Sequence, residues 1–469
     1  MKVSTINIKN VRSARLRTDA SYHLSEGQIV QKDIESSPYP LMQIKDVSND
    51  IFIGNRAKRI YVSSIEHGIP FLSSSDILKG DLEHVKIASK KYTPEIDWML
   101  LQKGWTLISR SGTIGNCAFA NAKHAQKLAS EDVIRLVPNN ILRGGLVYAY
   151  LASKYGHSLL TQGMFGAVIQ HIEPDFVGSL PIPHFPETFQ EEVDDLMQGA
   201  SRLREEATDE LNEAEKILKE AAKLRDLTPE DYDYYGLNNS GRKVSCFVRK
   251  RKDIDTTTIN AFNHSERIRN TKASITCPTV PLKEVLFGGD TFSTGSFPRI
   301  EVKEGCGIML INQKDIFDTI VKGKYISKRN VKTNNLVEYG EVLIAGVGTL
   351  GENETFCRAI YANEDLVGQL VSGEFIRLKT NGKVSSGYLY AWLASDYGFR
   401  LLRNLQAGTK LCRPIPRLVL EIPVPVVEKE TMEEIDKLVK DAYTKRYLAN
   451  CNERKAISLV EQEIESWNK

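Results

Sequence analysis

Residues 148–156 read YAYLASKYG, and residues 390–398 read YAWLASDYG. The two stretches lie within a longer repeat, in which residues 131–183 align with residues 373–425 at a constant offset of 242. No gap is needed, and 19 of the 53 aligned positions are identical. The second half of the chain therefore repeats the first, which predicts two copies of one module related by a pseudo-twofold axis.

The repeat extends upstream when short gaps are allowed. Residues 104–115 match residues 340–351 at an offset of 236, and residues 68–72 match residues 307–311 at an offset of 239. The changing offsets indicate short insertions, which surface loops tolerate well.

Each copy carries signals for short strands and one helix. Apolar runs of strand length at 133–137 and 374–378 predict β-strands. Residues 145–160 and 387–402 have apolar residues at helical spacing, interrupted by a Ser-x-Tyr-Gly break. Each copy is therefore expected to be an α+β globule.

The sequence character changes after each copy. Residues 187–226 and 428–467 are rich in Glu, Lys, Leu and Ala, with apolar residues at steps of three and four. This pattern predicts two long amphipathic helices, and each needs a partner to cover its apolar stripe. The simplest partner for each helix is the other one.

The predicted fold class is α+β, with two tandem α/β domains that are each followed by a long helix. The predicted boundaries place the first domain at 1–186, the first helical region at 187–227, a linker at 228–257, the second domain at 258–426 and the second helical region at 427–469.

Composition excludes several classes of protein. The chain is 41% hydrophobic and 26% charged, with a formal net charge of +2, so it is not expected simply to coat nucleic acid. Its seven scattered cysteines form no Cys-x-x-Cys pair, which fits free thiols in a reducing cytoplasm. Neither a signal peptide nor a transmembrane run is visible, and a cytoplasmic protein is expected.

Catalytic motifs are absent from the sequence. The glycine turns at 112–115 and 348–351 lack the Gly-Lys-Ser/Thr of a P-loop. There is no Asn-Pro-Pro-aromatic or Asp-Pro-Pro-aromatic tetrad, no His-x-x-x-His pair and no Gly-x-Ser-x-Gly elbow. We therefore expect a non-catalytic protein without a cofactor or metal of its own.

Polar and basic residues are instead concentrated in the expected loops. Such side chains read base edges or bind phosphates, although a solvated loop is the simpler interpretation of any single one. The first copy offers Ser74, Lys90, Lys91, Arg110, Ser111, Thr113, Gln170 and His171 as candidate DNA contacts, and the second offers Asn312, Lys314, Lys328, Arg329, Lys410 and Arg413. The segment before the closing strand also contains Gln162 in the first copy, and Arg403 and Gln406 in the second.

The ordered set of motifs resembles the specificity (S) subunit of type I restriction–modification systems. In each copy a strand is followed by SGTIG or VGTLG, then by Ile-Arg-Leu, by Tyr-x-Tyr/Trp-Leu-x-Ser-x-x-Gly, and by a closing LPIP or IPVP. Each motif alone is weak, but the ordered set occurs twice and covers nearly the whole chain.

The resemblance implies two target recognition domains that each read half of a split DNA site. It also implies that the two helical regions form an antiparallel coiled coil, which fixes the distance between the half-sites. The implied partners are double-stranded DNA, two modification (methyltransferase) subunits that bind S-adenosylmethionine, and restriction subunits that use ATP and Mg²⁺. This phage-defence chain would itself be non-catalytic.

Two alternatives remain open at the level of sequence. One is a solitary DNA-recognition or scaffold subunit of another phage-defence assembly. The other is a two-domain hydrolase with a site that no motif reveals.

Overall fold

The computed structural model describes residues 20–56, 58–164, 170–228, 247–254 and 257–467, together with the single positions 6, 8, 11, 18 and 231. The chain divides into two compact units. Residues 1–205 and 448–469 form the first, and residues 206–447 form the second. Most of the predicted linker at 228–257 lies outside the described residues.

The first unit mixes short strands with helices. Its helices are α1 (Ala20–His23), α2 (Glu26–Glu35), α3 (Ile96–Met99), α4 (Gly144–Ala152), α5 (Lys154–Gln162) and α6 (Pro174–Gly178). Its strands are β1 (Leu41–Gln43), β2 (Ser48–Ile53), β3 (Tyr61–Val62), β4 (Gly68–Leu72), β5 (Lys86–Ser89), β6 (Thr106–Ser109), β7 (Cys117–Phe119), β8 (Leu128–Ala129), β9 (Val133–Pro138) and β10 (Pro181–Pro183).

Two four-stranded sheets organise the first unit. One has the order β2-β9-β6-β7 and is antiparallel, and the other has the order β3-β5-β4-β8. Successive side chains of a strand point to opposite faces, and here both faces of the first sheet are buried. Ile108 and Ile134 pack in the core with α4 and α5, whereas Leu107 and Val133 pack in the core that contains Leu72.

A long helix, α7 (Glu187–Ala221), follows β10 and contributes residues to both units. The second unit then contains α8 (Glu266–Ala273), β11 (Thr279–Pro281), β12 (Ile308–Ile311), β13 (Lys324–Ile326), β14 (Val342–Ala345), β15 (Ala359–Tyr361), β16 (Leu370–Val371), β17 (Phe375–Leu378), α9 (Ser386–Ala394), α10 (Asp396–Asn404), β18 (Gln406–Ala407), β19 (Arg413–Pro414), α11 (Pro416–Val419) and β20 (Pro423–Pro425). The final helix is α12 (Lys429–Ser466).

The second unit repeats the strand pairings of the first. The sheet β15-β14-β17 corresponds to β7-β6-β9, and the sheet β13-β12-β16 corresponds to β5-β4-β8. The registers also agree, because Leu107 lies opposite Arg135 and Leu343 lies opposite Arg377. The sequence repeat is therefore a structural repeat, and the expected mixture of helices and strands is confirmed.

The expected helix of each copy is two helices separated by one residue. Ser153 and Ser395 each end one helix and cap the next, since their hydroxyls accept from the amides of Gly156 and Gly398. A Cβ at Gly156 would lie 2.1 Å from the carbonyl oxygen of Tyr150. At Gly398 the distance to the Trp392 carbonyl oxygen would be 2.2 Å. The close approach of the two helices explains why the Ser-x-Tyr-Gly motif occurs in both copies.

Each unit includes parts of both long helices. In the first unit, residues from the start of α7 and the end of α12, including Val193 and Val460, share one core with α4. In the second unit, Leu218 and Val439 share a core with α9. α7 begins at the predicted residue 187 but ends at Ala221, and α12 runs from Lys429 to Ser466, within three residues of the predicted bounds 427 and 469.

A carboxylate from a long helix caps the buried helix of each unit. Asp194 accepts a hydrogen bond from the amide of Gly145 at 2.7 Å, and Asp436 accepts one from the amide of Gly387 at 2.8 Å. Helix starts leave amides without intrahelical partners, so a carboxylate there is favourable. The offset of 242 relates both members of the two pairs, so this connection is part of the repeat.

Candidate nucleic-acid interface

Three polar segments of the first unit meet beside the glycine turn that joins β6 to β7. The Ser109 hydroxyl donates to the carbonyl oxygen of Ser74 at 2.8 Å, and it lies 3.0 Å from the hydroxyl of Thr113. Ser111 forms a β-bridge with His171. The structure therefore brings together the loop at 73–75, the glycine turn and the segment that begins at Gln170.

The buried side chain of Arg110 connects the glycine turn to the segment that begins at Gln170. Its side chain is 7% exposed, and its Nε donates to the carbonyl oxygen of Ile172 at 3.1 Å. Its Nη2 lies 2.5 Å from the carboxylate of Glu173, which is also 3.5 Å from Nε2 of His171. The guanidinium is thus covered and positions these segments, and its direct contact with DNA stays a prediction. Thr113 and Gln170 are exposed, while Ser74, Ser111 and His171 are partly buried.

The second unit joins the equivalent segments with different contacts. The side-chain amide of Gln313 bonds both backbone groups of Val347, donating to the oxygen at 2.5 Å and accepting from the nitrogen at 3.0 Å. Gly348 and Cys412 exchange backbone hydrogen bonds at 2.7 and 3.2 Å. The loop at 312–314 and the hairpin β18-β19 therefore flank the second glycine turn.

Exposed cations surround this second glycine turn. The Lys314 side chain is 84% exposed and lies 4.0 Å from Asp315, a residue that also accepts from the Asn312 amide at 3.1 Å. Lys410 and Arg413 are exposed on the hairpin β18-β19. An exposed lysine or arginine can reach a phosphate without losing a buried partner, so this surface suits an anionic ligand.

The remaining basic candidates lie elsewhere in each unit. Gly68 lies opposite Ser89, so Lys90 and Lys91 follow β5 at the beginning of β4, whereas the loop containing Ser74 follows the end of β4. A five-residue strand is about 16 Å long, which separates the two groups. Lys90 donates to the carbonyl oxygens of Ile65 and Glu66, and Lys91 lies 5.4 Å from the Tyr92 ring centroid.

The same separation occurs in the second unit. Ile308 lies opposite Ile326, so the exposed residues Lys328 and Arg329 lie at the beginning of β12, and Asn312 follows its end. The fourteen sequence-derived candidates therefore form two groups in each unit, and one of these groups surrounds the glycine turn.

Three polar residues from the expected loop segments belong to the interior. Gln162 and Gln406 are buried, and Arg403 is completely buried with its guanidinium 4.2 Å from the Phe399 ring centroid. Arg403 also donates to the carbonyl oxygens of Gly351 and Phe356. Its contribution is to shape the glycine turn. In the sequence, the i,i+4 spacing of Phe399 and Arg403 on one helix could have indicated that the two side chains meet in the interior.

Arg135 and Arg377 are the arginines of the repeated Ile-Arg-Leu motif, and both are completely buried. Arg135 donates to the carbonyl oxygens of Ser130 and Val133, and Arg377 forms an ion pair with Glu341 at 2.8 Å. A charged residue at the same place in two apolar strands was the signal that could have identified them as structural.

The described residues contain neither a metal-binding cluster nor a membrane-spanning helix. No group of three or more His, Cys, Asp or Glu side chains in these ranges could hold a metal ion. Among the helices described above, none is long and apolar enough to cross a membrane.

Comparison with known proteins gives matches only among solved structures. No family model matches the chain, and no curated protein matches it. The type I restriction–modification S subunit from M. genitalium is 13% identical, with a TM-score of 0.35, over 92% of this chain and 96% of that one. The HsdS subunit from Thermoanaerobacter tengcongensis is also 13% identical, over 92% and 96% of the two chains, with a TM-score of 0.28.

A third similar structure comes from work on complex assembly and conformational transition of the type I restriction–modification system. It is 14% identical, over 91% of this chain and 98% of that one, with a TM-score of 0.28. These three structures therefore all come from type I restriction–modification systems.

Proposed function

We propose that this chain is the DNA-recognition subunit of a type I restriction–modification assembly. The observation that carries the proposal is the repeated junction of three polar segments around a glycine turn. Both units share the strands and buried helices beneath this junction, whereas the side chains at its surface differ. Two readers of different half-sites would need this combination of a common scaffold and divergent loops.

The surface chemistry of each junction fits double-stranded DNA. Thr113 and Gln170 of the first unit offer a hydroxyl and an amide, which can bond to base edges. Lys410 and Arg413 of the second unit offer cations, which can contact phosphate or guanine. The two units would accordingly recognise different sequences, and together they would read a bipartite target.

The two long helices would pair as an antiparallel coiled coil that separates the half-sites. Contacts within each unit support this pairing. In the first unit, Arg204 of α7 donates to Asn450 of α12 at 2.8 Å. In the second, Lys445 of α12 lies 2.6 Å from Glu210 of α7. Together with the apolar residues that the helices contribute to each core, these contacts favour direct pairing over two separate helices.

The chemical steps would belong to partner subunits. Modification subunits would bind S-adenosylmethionine and methylate adenine, and restriction subunits would use ATP and Mg²⁺. This chain would direct both to the target without making or breaking a bond. Its setting would be phage defence in the cytoplasm.

Methylome sequencing tests the proposal directly. The chain would be expressed with its modification subunit in cells that lack other adenine methylation. We expect one split motif, methylated in both halves and separated by a spacer of fixed length. A contiguous motif, or the absence of any new methylated motif, would contradict the proposed function.

Substitutions on the second glycine-turn surface then locate the contacts. Arg413→Ala and Lys410→Ala should each weaken binding to the methylated motif. Loss of a phosphate contact reduces the magnitude of the slope of log K against log salt by about 0.9. Loss of a base contact costs about 1–3 kcal/mol of binding free energy and relaxes the sequence preference at one base position. Lys429→Ala, at an exposed lysine on α12, is the control and should change neither quantity. Unchanged binding by both test variants would contradict the assignment of this surface.

A further inference from the structure

A buried carboxylate joins three helices of the first unit. Glu453 of α12 is 4% exposed, and it accepts a hydrogen bond from the hydroxyl of Tyr148 on α4 at 2.5 Å. Its second oxygen lies 2.5 Å from Nη2 of Arg204 on α7. Arg204 also donates to the side-chain oxygen of Asn450, one helical turn before Glu453. We call Tyr148, Glu453 and Arg204 the polar triad.

The corresponding place in the second unit lacks the carboxylate. The offset of 242 relates Tyr148 to Tyr390, and it relates Leu211 to Glu453. Leu211 packs against the apolar core of the second unit, and the Tyr390 ring lies 5.2 Å from the ring of Tyr443. Arg446 corresponds to Arg204 and lies 5.1 Å from the Tyr443 ring centroid. The repeat therefore keeps the tyrosine and the arginine and replaces the carboxylate by a leucine.

The two kinds of contact differ in how strongly they restrict helix position. Apolar packing is non-directional, and its strength follows the area removed from water. A buried ion pair is tolerated only while each member keeps its partners, because an unpaired buried charge is costly. Sliding α12 by one turn, about 5.4 Å, would separate Glu453 from both Tyr148 and Arg204. A buried polar group between helices is a known means of fixing their register.

We propose that the polar triad is a positioning device that fixes the register of α12 against α4 and α7, and thereby sets the spacer length that the protein accepts. This inference rests on the proposed function, since it assigns a cause to the fixed spacing of a bipartite site. The triad does not touch DNA. It selects one arrangement of the helices, whereas the apolar packing of Leu211 in the second unit is non-directional.

The test uses the full chain assembled with its modification subunits. Once methylome sequencing has defined the half-sites, a panel of duplexes carries them at spacers that differ by one base pair. The measured quantity is the ratio of affinities for the preferred spacer and for its neighbours. A merely structural role would weaken binding to every duplex equally and leave this ratio unchanged.

Glu453→Leu supplies the residue found at the related position of the second unit. We expect the spacer ratio to fall about ten- to hundredfold, because charged hydrogen bonds of this kind are lost. Tyr148→Phe removes only a hydroxyl, so this variant should still fold even if Glu453→Leu does not. It should lower the spacer ratio several-fold. Lys445→Ala removes a more exposed ion pair between the same helices in the second unit, and it should leave the ratio unchanged.

The opposing outcomes are distinct. An unchanged spacer ratio in Tyr148→Phe would overturn the inference, as would equal weakening on every duplex. A ratio lowered as much by Lys445→Ala as by Tyr148→Phe would also overturn it, since any ion pair between the helices would then suffice. If the unsubstituted complex bound no split duplex at any spacer, the proposed function itself would fail.

Discussion

Arg135 and Arg377 occupy the same strand position in the two units and are both completely buried, but they have different partners. Arg135 donates to the carbonyl oxygens of Ala129, Ser130 and Val133, and burial lowers its pKa to about 10. It therefore remains protonated at neutral pH.

Arg377 instead makes a two-point ion pair with Glu341, with distances of 2.8 and 2.9 Å. It also donates to the carbonyl oxygens of Asn335 and Leu336. The position related to Glu341 by the offset of 236 is Trp105. In both copies the guanidinium donates to nearby loop carbonyls, and in the second copy a carboxylate also neutralises its charge.

The largest expected effect comes from breaking the ion pair of the second unit. Glu341→Gln keeps the shape of the side chain but leaves the Arg377 charge uncompensated in the interior. Removing one partner of a buried pair costs about 3–5 kcal/mol. We expect a loss of this size in urea unfolding, together with faster hydrogen exchange at 375–378.

A matched variant isolates the buried charge. Glu338→Gln removes a carboxylate that is 64% exposed and pairs with Lys379, and exposed pairs contribute about 0–1 kcal/mol. If Glu341→Gln cost no more than Glu338→Gln, Arg377 would be held well enough by carbonyls alone. The two units would then solve the problem in the same way.

The repeated scaffold was predictable because it depends on local pattern. The strand at 133–137 is observed as Val133–Pro138, and the helix expected to begin at 187 begins at Glu187. Whether a polar loop residue is buried or exposed was not predictable. Arg110 and Lys90 are similar in sequence terms, yet one is buried by Ile172 and Glu173 and the other is exposed. Loops have no periodicity that reveals an inward face, so burial there depends on distant segments.

The same limit applies to the ends of the long helices. Their apolar stripes indicated that each needs a partner, but a stripe does not specify which segment covers it. The structure places residues 448–469 with the first unit, although they follow the second copy in sequence. Contacts such as that of Tyr39 with Glu463, at 2.7 Å, join residues more than four hundred positions apart.

A second difference between the units predicts pH-dependent stability. His124 of the first unit is buried beside Asn121, with its Nδ1 2.9 Å from the Asn121 side-chain oxygen. The related residue in the second unit is Leu366, also buried. Burial, aided by Lys127 and Arg204, lowers the His124 pKa to about 4. The unfolded chain therefore binds a proton between about pH 6.5 and 4 that the folded chain does not.

The stability contributed by neutral His124 is complete above about pH 6.5 and decreases as the pH falls towards 4. The maximum loss is about 3 kcal/mol. His124→Leu, which copies the second unit, should flatten this part of the profile in urea unfolding measured from pH 7 to 4. His84→Leu, at an exposed histidine, is the control. If the free energy of unfolding of His124→Leu fell with pH as steeply as that of the unsubstituted chain, His124 would not be the cause of the pH dependence.

The smallest expected effect concerns the carboxylate caps of α4 and α9, where the units agree most closely. Asp194→Ala and Asp436→Ala each remove an acceptor from a helix-start amide, which costs about 1 kcal/mol. The first substitution should cost more. In the second unit α9 has an additional cap, because the Ser385 hydroxyl accepts a hydrogen bond from the Tyr388 amide. In the first unit the N-cap residue of α4 is Arg143, whose side chain makes no capping hydrogen bond. Hydrogen exchange of amides 145–148 should therefore accelerate more in Asp194→Ala than that of 387–390 does in Asp436→Ala. Equal acceleration would mean that the serine adds nothing, and that the two caps are equivalent in energy as well as in position.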